Sequence, residues 1–395
     1  MSGPAWGRRA FLTRCGAAAV GAAGLCAIES LPHCGRFPRS ASAEDIFDFA
    51  PSGGGDAGVS DYPAAHWDPE AGGRVICRLC PRECRVADRE RGYCGVRENI
   101  AGQYRTLVHS RVSAVHVDPV EKKPFFHVRP GSPAFSLATP GCNLQCKYCQ
   151  NWEISQFRPE QVPSVEAAPE QVIAAALRAG APFVAFTYAE PVIFWEYARD
   201  IADAGNARGL RSLMISNGYI QEKPLREIVS RLAAVKIDLK GFSESFYKDV
   251  TDGELKPVLR TLEILKETGI WFEIVVLVVP TLNDDEDSMR GLCAFVAEKL
   301  GPDVPLHFTR FHPAYRLQNL PPTPVSTLER VHGYARDAGL HFAYLGNVPG
   351  HPAESTYCPQ CGAAVVRRSG YTILENTLED GACPKCRRTI PGLWT

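Results

Sequence analysis

An α/β protein is the fold class this sequence predicts, with a complete or partial (β/α) barrel as its body. Between residues 131 and 347, short apolar runs alternate with helix-length stretches, the pattern of a parallel sheet with helices outside. Prolines and glycines punctuate those stretches where helices start and stop. Two sets of four cysteines border the body, at 77–94 and 358–386.

The apolar runs are 134–139, 183–188, 212–216, 235–239, 272–279, 306–311 and 341–345. The stretches of helical character are 169–179, 192–208, 223–232, 254–268, 285–300 and 327–337. Pro169 and Pro224 sit where a first helical turn tolerates proline; Gly180, Gly209 and Gly269 sit where helices end. In barrels of this kind the site gathers at the C-terminal ends of the strands.

The chain opens with a separate signal. Arg8-Arg9 precede Phe11-Leu12, residues 15–28 are uncharged and rich in Ala and Gly, and Ala41-Ser42-Ala43 offers a small-x-small cleavage site. The apolar run is shorter than the roughly 20 residues of a spanning helix. Arg36 and Arg39 lie between run and cleavage site, so a membrane tether through an uncleaved segment is the alternative. Residues 1–43 resemble a twin-arginine (Tat) signal, which implies export to the periplasm or its membrane face; a leader without function would leave the protein cytoplasmic. Residues 44–72, with Gly53-Gly54-Gly55, read as a linker. Lys+Arg number 43 and Asp+Glu 44, a balance that excludes nucleic-acid binding by bulk charge.

Residues 73–130 form the N-terminal module. Cys77, Cys80, Cys84 and Cys94 supply the four thiolates that a zinc ion or an iron–sulfur cluster requires; the spacing does not choose between them, and two disulfides are the non-metal reading. Residues 103–118, with Tyr104, Leu107, Val112, Val115 and Val117, read as strands joining this module to the body 131–347.

The loop 139–152 follows the first body strand and places Cys142, Cys146 and Cys149 at C-x3-C-x2-C spacing. Three thiolates leave one iron of a [4Fe–4S] cubane open for an exchangeable ligand. Polar residues follow the other strands: Glu190, Asn217, Asp238 with Lys240, Asn283 with Asp284, and Arg310 with His312. Glu273 and His307 lie inside strands, facing either the lumen or solvent. No residue stands out as catalytic acid or base; His312, Arg310 and Glu273 are candidates on the substrate side.

The cysteine loop, with Tyr148 before its last cysteine, resembles that of radical S-adenosylmethionine (SAM) enzymes. The resemblance implies a [4Fe–4S] cluster on Cys142, Cys146 and Cys149 whose open iron chelates SAM. It also implies reductive cleavage of SAM to a 5′-deoxyadenosyl radical that takes a hydrogen atom from a substrate, and a low-potential electron donor. Tyr188-Ala189-Glu190-Pro191 is similar to the Gly-Gly-Glu-Pro segment of the pyruvate formate-lyase activating type. The Glu-Pro is kept and the glycines are not. By that likeness Glu190 holds the SAM amino group, with Ala189 beside it. Ser216-Asn217-Gly218 resembles the segment near the SAM ribose, and Asp238 and Lys240 the Asp-x-Lys near SAM; Tyr148 packs against it.

Longer phrases, Cys149-Gln150-Asn151-Trp152, Lys236-Ile237-Asp238-Leu239-Lys240, Phe311-His312-Pro313 and Gly346-Asn347-Val348, resemble the radical SAM member of the AmmeMemoRadiSam system. That likeness implies Memo-like and AMMECR-like partner proteins but names no substrate. Residues 348–395 carry Cys358, Cys361, Cys383 and Cys386 as two Cys-Pro-x-Cys knuckles, which resemble a zinc ribbon and imply structural zinc, with rubredoxin-like iron as the alternative. Cys293 reads as a core residue. The expected function is a radical SAM enzyme on an unidentified substrate. The alternatives are a glycyl-radical enzyme activase, an iron–sulfur electron-transfer protein without SAM chemistry, and a zinc-ribbon interaction protein. Export would separate such chemistry from cytoplasmic SAM and reductant, a tension the residues do not resolve.

Overall fold

The computed structural model describes residues 58–395. The twin-arginine leader, its cleavage site, Cys15, Cys26, Cys34 and the linker through residue 57 lie outside the described residues. Among the described residues, no helix is long and apolar enough to cross a membrane.

One eight-stranded sheet organises the body. Its strands follow chain order: β1 (Ala114–Pro119), β2 (Pro133–Ala138), β3 (Phe183–Phe186), β4 (Arg211–Ser216), β5 (Leu232–Asp238), β6 (Trp271–Val278), β7 (Leu306–Arg310) and β8 (Ala343–Gly346). Strands β2 to β8 run parallel, and β1 pairs antiparallel with β2. All seven expected runs are strands. No pairing joins β1 to β8, so the sheet is open and does not close into a complete barrel. Every residue of β3 and the first six of β5 are buried, as parallel strands covered on both faces require.

Helices α1 (Pro169–Arg178), α2 (Trp195–Asn206), α3 (Glu222–Val229), α4 (Leu255–Thr268), α5 (Glu286–Phe295) and α6 (Val325–Asp337) fill the crossovers. Pro169 begins α1, where a missing N–H costs no helical bond. Asp285 caps α5 by accepting from Ser288 N at 2.9 Å. Gly269 ends α4 at φ +72°, a conformation that disfavours a side chain.

The concave face is plugged at the N-terminal ends of the strands. Val120, Phe125 and Val128, from the segment between β1 and β2, pack on Ala134, Phe183, Ala185 and Leu213. Glu273 of β6, fully buried, accepts from Phe126 N and His127 N at 2.9 Å each and from His307 Nε2 at 2.7 Å. Glu273 and His307 thus face inward, and Glu273 secures the plug.

The outer modules dock on this body. Two small antiparallel sheets carry the N-terminal cysteines, and Tyr104, Leu107, Val112 and Val115 are buried as expected. Arg97 and Glu196 of α2 form an ion pair with both side chains 1% exposed. The C-terminal module, a three-stranded sheet, packs Cys358, Val365, Cys383 and Ile390 against Phe126 and Tyr344. Cys293 is buried in the core.

Candidate active site

The loop after β2 is held from both sides. Gly141 N donates to Ile154 O at 2.9 Å, and Gln145 N and Lys147 N donate to Thr251 O and Val250 O at 2.9 Å. Gly141 has φ +105°, and a Cβ there would stand 2.5 Å from Val96 Cγ1 and 3.2 Å from Cys94 O. Only glycine lets the loop lie so close to the N-terminal module. Cys142, Cys146 and Cys149 are free thiols and line one cavity of about 720 Å³, within the range of small-molecule sites.

The donor set suits a polynuclear cluster. Burial pushes Cys146 up to about 12 and Cys142 well above the ordinary thiol value. A thiolate held here needs a cationic partner, as a bound metal centre would be. The three sulfurs do not gather to the distances of a single ion. Leu144 N donates to Cys142 Sγ at 3.4 Å, Asn217 Nδ2 to the same sulfur at 3.9 Å, and Ser155 Oγ lies 3.2 Å from Cys149 Sγ.

Glu190, at the end of β3, is 2% exposed and lines the cavity. Its Oε1 accepts from Val192 N at 3.0 Å and Ser216 Oγ at 2.7 Å; Oε2 accepts from Asn217 N at 2.8 Å. Burial pushes its carboxyl up to about 7, opposed by those three donors. Ser216 is outside the cavity wall and braces Glu190, whereas Asn217 is in the wall and donates to Asn143 Oδ1 at 2.8 Å. Ala189 lines the cavity too. Tyr188, at the place of the segment's first glycine, has φ +65°, a left-handed conformation that glycine adopts without cost.

Strand β5 brings three charges together. Asp238 binds the Nζ of Lys236, which is 4% exposed, and that of Lys240 at 2.9 Å. Burial alone would raise Asp238; the two ammonium groups hold it down to about 2. Tyr148 is 4% exposed, lines the cavity, and its hydroxyl has no hydrogen-bond partner.

The three substrate-side candidates fall elsewhere. Glu273 is taken up by the plug, Arg310 Nε donates to Thr323 O at 2.8 Å, and His312 is exposed; none lines the cavity. The cavity has instead a group that strand-by-strand reading misses. Asp118 binds Lys122 at 2.9 Å and Lys123 at 2.8 Å and accepts from the Tyr188 hydroxyl. Lys122, Lys123, Tyr188, His116 and Glu121 line the wall. The stretch Asp118-Pro-Val-Glu-Lys-Lys-Pro124 is the signal that could have found it.

The two outer cysteine sets differ. Cys358 Sγ lies 3.5 Å from Cys386 Sγ, and Cys361 Sγ 3.7 Å from Cys383 Sγ; all four lie within 4.8 Å. Tetrahedral zinc with Zn–S of about 2.3 Å needs sulfurs about 3.8 Å apart. Cys77, Cys80, Cys84 and Cys94 are also free, but they do not converge so.

Residues 136–292 match the Radical SAM superfamily. An uncharacterized protein of Methanocaldococcus jannaschii is 42% identical over 319 residues, 80% of this chain and 95% of that one. The pyruvate formate-lyase 1-activating enzyme of Escherichia coli is 23% identical over 215 residues, 50% of this chain and 87% of that one. Among solved structures, a domain of a pyruvate-formate lyase-activating enzyme from Bacteroides vulgatus gives a TM-score of 0.38 at 17% identity, over 42% of this chain and 98% of that one. The chain belongs to the radical SAM superfamily and is a radical SAM enzyme, whose fold implies a [4Fe–4S] cluster and SAM.

Proposed function

We propose that Cys142, Cys146 and Cys149 hold the [4Fe–4S] cluster and that the cavity beside them binds SAM and an unidentified substrate. The observation that carries this reading is the convergence on one cavity of three thiols from a single loop with Glu190, Asn217, Asp238 and Lys240 from successive strand ends. Bound there, cluster and SAM supply one-electron cleavage of SAM to a 5′-deoxyadenosyl radical, which abstracts hydrogen from the substrate.

The chain's own residues bind and orient. Glu190 spends three acceptor sites on internal donors, and a carboxylate has about four, so one is left for the SAM amino group. Asn217 steadies Cys142 and Asn143 at the end of β4. Lys240, held by Asp238, directs positive charge at the SAM side, and Tyr148 closes the wall behind it. The plug excludes water from the strand ends nearest the core.

The family assignment within the superfamily is the AmmeMemoRadiSam radical SAM enzyme, with Memo-like and AMMECR-like proteins as partners and a low-potential protein as electron donor. Residues 1–43 act as a twin-arginine export signal in this reading, and the C-terminal four-cysteine set holds structural zinc. A second reading, activation of a glycyl-radical enzyme, is favoured by the likeness to the Escherichia coli activating enzyme.

Anaerobically reconstituted protein tests the proposal. Reduced wild type should give an electron paramagnetic resonance signal that SAM shifts, and should form 5′-deoxyadenosine; Cys146→Ala should form none. A reduced cluster indifferent to SAM, with no 5′-deoxyadenosine, would make the protein an electron carrier instead. A radical appearing on a co-incubated glycyl-radical enzyme would select the activase reading.

A further inference from the structure

We propose that Cys77, Cys80, Cys84 and Cys94 hold a second iron–sulfur cluster, a cubane with four protein thiolates, and not a zinc ion. The site is separate from the SAM cavity and does not depend on the SAM chemistry proposed above.

The two outer cysteine sets of the same chain provide the contrast. The C-terminal sulfurs close on one another at 3.5 and 3.7 Å, the spacing of a single tetrahedral ion. The N-terminal four do not gather in this way among the described residues. They surround a shared cavity instead, whose remaining wall includes Leu79, Val192 and Ile193. A cubane spreads its ligands over four irons, so its thiolates stand farther apart than those of one ion.

The hydrogen-bond inventory points the same way. Tyr93 N donates to Cys84 Sγ at 3.4 Å, and the backbone N–H groups of Leu79, Arg82 and Val96 face Cys77, Cys80 and Cys94. Each thiolate therefore already has a donor. One further donor in the cavity wall, Arg97 Nε, is buried without a partner, while the Tyr104 hydroxyl faces Cys77. Zinc brings no acceptor for Arg97 Nε, whereas a cubane brings four inorganic sulfides. Gly92 keeps this wall thin: a Cβ there would stand 2.9 Å from Tyr104 Oη and 3.7 Å from Cys84 Sγ.

The site abuts the SAM-cluster loop. Cys94 O and Val96 press on Gly141, Arg82 Nε donates to Asn143 O at 2.8 Å, and Asn143 itself lines the cysteine cavity. The chain would thus hold two clusters with only the packed segments around Cys94 and Gly141 between them.

Iron, zinc and acid-labile sulfide counts on full-length, anaerobically reconstituted protein test the inference. Wild type should carry about eight sulfides per chain, and the triple variant Cys142→Ala/Cys146→Ala/Cys149→Ala about four, as one cubane each requires. The triple variant, reduced with dithionite, should keep a paramagnetic signal that SAM leaves unchanged. Should the triple variant not fold, Cys80→Ala/Cys84→Ala should halve the sulfide of wild type while the SAM-shifted signal persists. About four sulfides in wild type, with zinc filling the second site, would overturn the inference. Loss of the SAM shift with eight sulfides intact would count against the SAM reading alone.

Discussion

Asn217 N donates to Glu190 Oε2 at 2.8 Å, tying the end of β4 to the end of β3 beside Cys142. The same carboxylate takes Val192 N and Ser216 Oγ, so it aligns two strand ends before any ligand arrives. In Glu190→Gln one oxygen becomes an amide that faces a donor. A buried donor left unpaired costs about 1–3 kcal/mol. The variant should lose that much unfolding free energy and bind SAM about tenfold more weakly, a factor worth roughly 1.4 kcal/mol. Calorimetric titration of the reconstituted protein checks the second figure. Unchanged SAM affinity with reduced stability would leave Glu190 as a brace only.

Glu121 makes stability depend on pH. It is fully buried, Oε1 accepts from Gly131 N at 2.8 Å, and Oε2 has no partner. Burial pushes its carboxyl up to about 7 from an ordinary 4.5. Between those values the folded state keeps a proton the unfolded state has lost, so stability falls as pH rises. The contribution is fully present below pH 4.5 and lost through pH 7, up to about 3 kcal/mol. Glu121→Gln should flatten the wild-type slope of urea-unfolding free energy between pH 5 and 7.5, leaving the part due to Glu190. Parallel slopes in the two proteins would refute the assignment.

The Arg97–Glu196 pair fixes the N-terminal module to α2. Arg97 Nη2 lies 2.5 Å from Glu196 Oε1, which also accepts Ala65 N at 2.6 Å, while Arg97 Nη1 donates to Ala65 O at 2.9 Å. Removing one charge strands the other in the interior, a loss of about 3–5 kcal/mol. Glu196→Gln should show that loss in urea unfolding. Arg97→Met/Glu196→Gln should lose less than the sum of its single changes, and strict additivity would mean the two charges do not interact.

The parallel strands were legible because each is a short apolar run between turn signals, and the placing of the cysteine loop and Glu190 at one cavity because each follows such a run. What escaped depends on long-range contacts. Glu273 could have faced lumen or solvent until its partners, Phe126 N and His127 N, were brought from nearly 150 residues away. The Asp118–Tyr188 contact spans 70 residues. The opening between β1 and β8 was equally hidden, since run spacing counts strands without saying which edges meet. Seven runs allowed a closed barrel; the plug and the C-terminal module pack against the concave face of an open sheet instead.

The C-terminal module should act as a clasp on that plug. Arg368 Nη2 donates to Phe126 O at 2.6 Å, Leu393 N to His127 O at 2.7 Å, and His127 Nδ1 lies 2.6 Å from Pro391 O. These contacts hold from outside the same two residues whose N–H groups Glu273 holds from within. The module's own core is small, with Cys358, Val365, Cys383 and Ile390 at its centre, so a metal held by its four cysteines would be part of its folding energy. Cys361→Ala should release the bound metal and speed amide hydrogen exchange at 120–131 by at least about tenfold, equivalent to roughly 1.4 kcal/mol of lost protection. Exchange in α4, remote from the module, should stay unchanged. Metal loss with unaltered exchange at 120–131 would mean that Glu273 alone secures the plug and that the module is an independent tail.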